Sequence, residues 1–116
     1  MHLPPEATIL VYMTAANEAE ARSIGASLVE KRLAACVNIL GGIQSIFHWD
    51  DKVQDEKEVA FTAKTTVSRF DALTTEVKRL HSYEVPCIIA LPMAGGSAEF
   101  IDWIRTETAD QGYPQG

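Results

Sequence analysis

A chain of 116 residues, 47% hydrophobic and 22% charged, has the composition of one ordinary globular domain with one core, not of a disordered or fibrous segment. Its 16 acidic residues outweigh 10 Lys and Arg to leave a net charge of −6, which argues against a phosphate-backbone partner and so against nucleic acid. No apolar run approaches the roughly 18 residues of a membrane span, and the start MHLPPEATIL lacks the basic and apolar regions of a secretory leader, so a cytoplasmic protein with no membrane partner is expected.

In chain order, Thr8 to Thr14 (TILVYMT) is short, β-branched and nearly all apolar, the pattern of a strand buried on both faces. Asn17 with Glu20 three residues on forms a capping box, and Ala21, Ile24 and Leu28 recur at helical spacing, which predicts the first helix. From Cys36 to Thr65 the pattern is extended again, with Gly41-Gly42 as a bend and Asp50-Asp51 as a tight turn, so a long hairpin is expected. Ser68 is the predicted N-cap of a second helix, whose stripe is Phe70, Leu73, Val77 and Leu80. Pro86 ends it, CIIALPM enters the core as a fourth strand, and a last short helix starts at Ser97.

The order strand, helix, strand, strand, helix, strand is that of an α+β, ferredoxin-like βαββαβ sandwich with a long hairpin and an extra C-terminal helix. The single domain is expected over residues 1–116, with its core at about 8–108 and a loose tail at 109–116. Right-handed crossovers put both main helices on one face of the sheet. The other face nevertheless carries apolar residues in ILVYM and CIIAL, so something must cover it. The hairpin makes the same point, because Cys36 to Trp49 at about 3.3 Å per residue spans over ~40 Å, against a radius of gyration of about 13 Å for such a domain. It must bend or project, and a projecting two-stranded ribbon needs a neighbour. On it, Phe47 and Trp49 are expected to share a face with Lys52, Gln54, Glu56 and Glu58.

The segments MTAANEAEARSIGASLVEKRLAACVNIL, FHWDDKVQDEKEVAFTAKT and LHSYEVPCIIALP follow in an order and spacing that resembles the CutA divalent-cation tolerance family, from about Thr8 to Thr106. The resemblance implies a homotrimer in which hairpins extend sheets across subunit boundaries, as in the similar PII proteins, and a role in tolerance of copper or another divalent metal. No cofactor is required and no reaction is assigned, so a non-enzyme is expected. The family's cleft positions fall on Trp49, Glu56, Lys64, His81, Tyr83 and Glu84, and its strand cysteine on Cys36. Three departures stand out: Met13 where the family often has Cys, Ser82 where it usually has Pro, and Cys87 where it usually has Glu.

His81, Cys36 and Cys87 are the candidate metal ligands, since imidazole and thiolate suit copper. In a sheet of order 4-1-3-2 the two cysteines lie on opposite edges, roughly 14 Å apart, so they could share a metal only between subunits. Cys36 reads better as a small buried hydrophobe, Cys87 reads equally as one, and His81 equally as a cap on the second helix. Trp49 suits an interface anchor better than a ligand stacker. Lys64, Glu56, Tyr83 and Glu84 could line a cleft for a small anion, which gives the alternative of a PII-like signalling module whose metal response is indirect. An acylphosphatase site is disfavoured, because Arg22 falls inside the first helix and no glycine-rich phosphate cradle precedes it.

Overall fold

The computed structural model describes residues 1–109, so the expected tail falls, but for Ala109, outside the described residues. The elements are β1 (Thr8–Ala15), α1 (Glu18–Glu30), β2 (Cys36–Trp49), β3 (Lys52–Thr66), α2 (Phe70–Leu80), β4 (Ile88–Pro92) and α3 (Ala98–Thr108), with a 3-10 turn at Val67–Arg69. Every element expected from the sequence is present. The four strands form one antiparallel sheet in the order β2-β3-β1-β4, the ferredoxin-like arrangement.

Local chemistry sets the ends of α1. The Asn17 side chain accepts the Glu20 N–H at 2.8 Å, satisfying one of the free donors of the first turn. At the other end Arg32 adopts φ 57°, while its N–H and that of Leu33 return to the carbonyls of Val29 and Leu28. This reversal closes the helix without the usual glycine and turns Leu33 back onto the core. Gly25, in the middle of α1, is fixed by packing, because a Cβ there would lie 2.9 Å from Val37 Cγ1 on β2.

One face of the sheet carries the core. Ile9, Val11 and Met13 of β1 and Phe61 and Ala63 of β3 are fully buried against Ile24 and Leu28 of α1 and Leu73 and Val77 of α2. Each such Ile, Leu or Val side chain contributes about 1.5–3 kcal/mol by burial. Met13 is thus a core side chain, paired in register with Phe61 and Ile88, and its thioether is not presented to a ligand.

Alternate residues place Tyr12, Thr62, Lys64, Ile89 and Leu91 on the second face. α3 covers part of that face, with the Phe100 ring 6.0 Å from Lys64 Nζ and Ile104 fully buried. Ile89, Leu91, Phe100 and Trp103 stay 41–52% exposed.

The hairpin projects, giving a molecule 47 × 33 × 25 Å with a radius of gyration of 14.9 Å. Asp50 and Asp51, at φ 56° and 58°, both adopt the left-handed conformation that a two-residue hairpin turn requires. A bulge between Ile39 and Gly41, with Gly41 at φ 116°, shifts the register by one. Beyond it Ile43, Ser45, Phe47 and Trp49 stand opposite Glu58, Glu56, Gln54 and Lys52, so aromatics and carboxylates share a side of the ribbon.

Several boundaries differ from expectation, and β1 and β3 each run one residue further than expected. β4 is one residue shorter at each end than CIIALPM. Ser68 does not cap α2: it lies in the 3-10 turn, its hydroxyl 3.1 Å from that of Thr66, and α2 starts after Arg69 with no side-chain cap. The two hydroxyls share one hydrogen bond, which draws Ser68 away from the helix end.

Candidate functional site

The residues from His81 to Cys87 leave the end of α2 and cross to β4, and they are tied to β1, α1 and β3 by side-chain bonds. His81 turns the backbone from helical to extended, at φ −77° and ψ 142°, while its N–H still reaches the Val77 carbonyl at 2.9 Å. Its side chain is fully buried. Nδ1 accepts the Tyr83 N–H at 3.0 Å, so the ring proton sits on Nε2 and is donated to the Thr14 carbonyl at 2.8 Å. Both ring nitrogens are therefore occupied by the fold itself.

Tyr83 packs on that ring, with centroids 4.6 Å apart, and its hydroxyl donates to Glu58 Oε2 on β3 at 2.8 Å. Burial pushes the phenol well above its usual range, and the carboxylate of Glu58 reinforces this by accepting its proton and by its charge. The Cys87 thiol is pushed up in the same direction, first by burial and then by Glu58. It is thus held as a thiol, the weaker form for metal or nucleophilic chemistry.

Glu20 closes the cluster from the side of α1. Its Oε1 accepts the Ala16 N–H at 3.0 Å and its Oε2 the Ser82 N–H at 2.9 Å, with His81 Nδ1 3.7 Å away. Burial raises its pKa, but the bonds from Ala16 and Ser82 outweigh that and hold it below the ordinary carboxylate value. The expected capping box thus reaches back to Ala16 and outward to the 81–87 segment.

The other candidate residues lie elsewhere. Glu56 is exposed on the hairpin opposite Ser45 and reaches Tyr83 only through its charge. Trp49 is half exposed at the hairpin tip, six positions of β3 register beyond Glu58, which is about 20 Å. Lys64 lies as far the other way, its ammonium donating to Asn38 Oδ1 and facing Phe100, with Cys36 opposite it on β2. Glu84 lines a groove with Phe70, Thr74 and Lys78 of α2. Of the six cleft positions, one chain brings together only His81 and Tyr83, and it adds Glu20 and Glu58.

Comparison with known proteins places the chain in a family. The sequence profile of the CutA1 divalent ion tolerance protein matches residues 9–107. The chain belongs to the CutA1 divalent ion tolerance family. The divalent-cation tolerance protein CutA of Thermus thermophilus is 46% identical over 99 residues, which cover 85% of this chain and 96% of that protein. Its solved structure superposes with a TM-score of 0.85, covering 87% of this chain and 98% of that one. The structure of CutA1 from Oryza sativa superposes equally, at 0.85 with 41% identity, over 88% and 94% of the two chains. This chain spans 58% of the length of the full rice protein, named Protein CutA 1, chloroplastic.

Membership in a CutA1 family raises the question of a divalent ion, which the donors of one chain answer only in part. Among the described residues, no group of three or more His, Cys, Asp or Glu side chains is placed to hold a metal ion. His81 has no free nitrogen, Cys36 and Cys87 belong to opposite edges of the sheet, and Cys87 is neutral beside Glu58. Glu58 reaches Cys87 through its charge, and two such groups are fewer than the four to six donors a bound divalent ion takes. Among the described residues, no helix is long and apolar enough to cross a membrane.

Proposed function

We propose that the protein acts in copper or other divalent-cation tolerance as a homotrimer that binds metal or a small ligand in clefts between subunits, in the cytoplasm and without catalysis. The observation that carries this reading is the unpartnered surface of the chain. β2, 14 residues long, is an edge strand, and the second sheet face keeps Ile89, Leu91, Phe100 and Trp103 exposed. A long edge and an apolar patch are surfaces that proteins normally cover. In such an assembly Glu58 and Cys87 would supply part of a coordination shell, to which a neighbour's hairpin would bring Glu56 or Cys36, with Trp49 as an anchor.

Light scattering at micromolar concentration should give three times the chain mass; a single-chain mass sinks the assembly. Anaerobic copper titration should then give saturable binding that Cys87→Ala and Glu58→Gln weaken at least tenfold, with His81→Ala acting only through stability. A second reading is favoured by the occupied ring of His81: a PII-like module whose ligand is a small anion or metabolite and whose metal response is indirect. Copper affinity unchanged by Cys87→Ala and Glu58→Gln, together with a metabolite thermal shift abolished by Lys64→Ala, would select it.

A further inference from the structure

At the other end of α2 from His81, a cleft of about 370 Å³ lies between the N-terminal segment, the 3-10 turn and the end of α3. That volume falls within the ~300–1,000 Å³ of small-ligand sites. Two guanidinium groups line it. Arg69 Nε donates to the Thr108 carbonyl at 2.7 Å, and Arg105 Nε to the Glu6 carbonyl at 3.0 Å. Each side chain is thus anchored by one nitrogen to backbone, and each keeps its terminal nitrogens as donors.

The charge around them is unbalanced. Arg105 has only a loose, exposed pair with Asp102 at 3.7 Å, and Arg69 has no carboxylate within ion-pair distance among the described residues. In a chain with 16 acids and 10 bases, a half-buried arginine without an acid among the described residues is conspicuous. Capping α3 does not require Arg105, since Arg32 donates to the Glu107 carbonyl and Arg69 Nε to that of Thr108. Thr66 and Ser68 add a further donor on the same wall. Their hydroxyls lie 3.1 Å apart, so one hydrogen is spent between them and the other remains for a ligand.

We propose that this cleft binds a phosphate-type oxyanion, either the inorganic ion or the terminal phosphate of a small metabolite. Guanidinium forks and a hydroxyl converging from different walls match an acceptor with several oxygens. Glu6, on the rim, works against an anion and limits the affinity.

The full chain is titrated with inorganic phosphate and with ribose 5-phosphate, against sodium chloride at matched ionic strength, by calorimetry and amide spectra. The expected result is one saturable site per chain with Kd near or below about 1 mM, and shifts centred on Thr66, Ser68, Arg69 and Arg105. Arg69→Gln and Arg105→Gln each weaken binding at least tenfold, whereas Glu6→Gln tightens it, which a purely structural role for the arginines would not produce. Arg105 is exposed, so its variant tests the site even where Arg69→Gln perturbs folding. Tighter binding of ribose 5-phosphate assigns the cleft to an ester, and tighter binding of inorganic phosphate to the free ion. No saturation by about 20 mM, roughly twenty times that Kd, an equal response to chloride, or unchanged binding by Arg105→Gln overturns the proposal.

Discussion

At His81 one side chain joins three segments, and its chemistry is committed before any ligand arrives. The ring bridges the Thr14 carbonyl of β1 to the Tyr83 N–H, entirely out of water. Removing it leaves an acceptor and a donor buried without partners, at about 1–3 kcal/mol each when nothing replaces them, and opens a cavity beside Tyr83. His81→Ala is therefore expected to lower stability by about 2–4 kcal/mol, read as a lower urea midpoint at unchanged slope. An unchanged midpoint would show that the ring is a free ligand and not a structural bridge. Sequence alone left His81 open between a ligand and a helix cap, and the fold gives it a third role. Nothing in the linear pattern could supply that, because the bond to Thr14 spans 67 positions and that from Ser82 to Glu20 spans 62. Glu20 was legible as a capping residue and Glu58 as one carboxylate in a row; only the sheet register shows that Glu58, not Glu56, meets the Tyr83 hydroxyl.

Between elements, α1 and α2 are clamped by Glu76. Its carboxylate accepts from Arg79 Nε and Nη2 at 2.9 and 2.7 Å, from Ser27 Oγ at 2.6 Å and from Lys31 Nζ at 2.9 Å. The bonds from Arg79, Ser27 and Lys31 hold its pKa far below the ordinary value, against the opposing effect of burial. A folded pKa below the unfolded value of about 4.3 means that this stabilisation is complete above that value, and is lost as pH falls through it toward the folded one. Lys31 and Arg79 are about half exposed, so water screens part of the attraction. Glu76→Gln should cost about 1–3 kcal/mol at pH 7 and flatten the fall in stability between about pH 5 and pH 2. Urea unfolding at a series of pH values measures both, and an acid limb as steep as in the parent would exclude the clamp. The helix itself was readable from Phe70, Leu73, Val77 and Leu80, because core-facing periodicity is a local property. The clamp was not, since Ser27 and Lys31 lie 49 and 45 positions away, and the misplaced Ser68 cap failed because Thr66 competes for its hydroxyl.

Across the whole molecule, the sheet order and the long hairpin follow from the alternation of apolar runs and turns, and the sequence also signalled that the second sheet face needs a cover. α3 is part of that cover, but Ile89 and Leu91 on edge strand β4 remain 52% and 47% exposed. They flank Tyr12 and Leu10 on the same face, making an apolar strip beside Phe100 and Trp103. If a second copy covers this strip, placing carboxylates there leaves charges that the neighbour would desolvate without partners, which an interface does not tolerate. In an isolated chain the same side chains stand half in water, so folding should survive. The double variant Ile89→Asp, Leu91→Asp is therefore expected to reduce the mass in light scattering from three chains to one, while its far-ultraviolet circular dichroism stays that of the parent. A parent at three chains with the variant also at three would move the contact off this face and leave the β2 edge as the joining surface. The distinction bears on function, because only an interface that carries the hairpin of one subunit over the 81–87 segment of the next can add donors to Glu58 and Cys87.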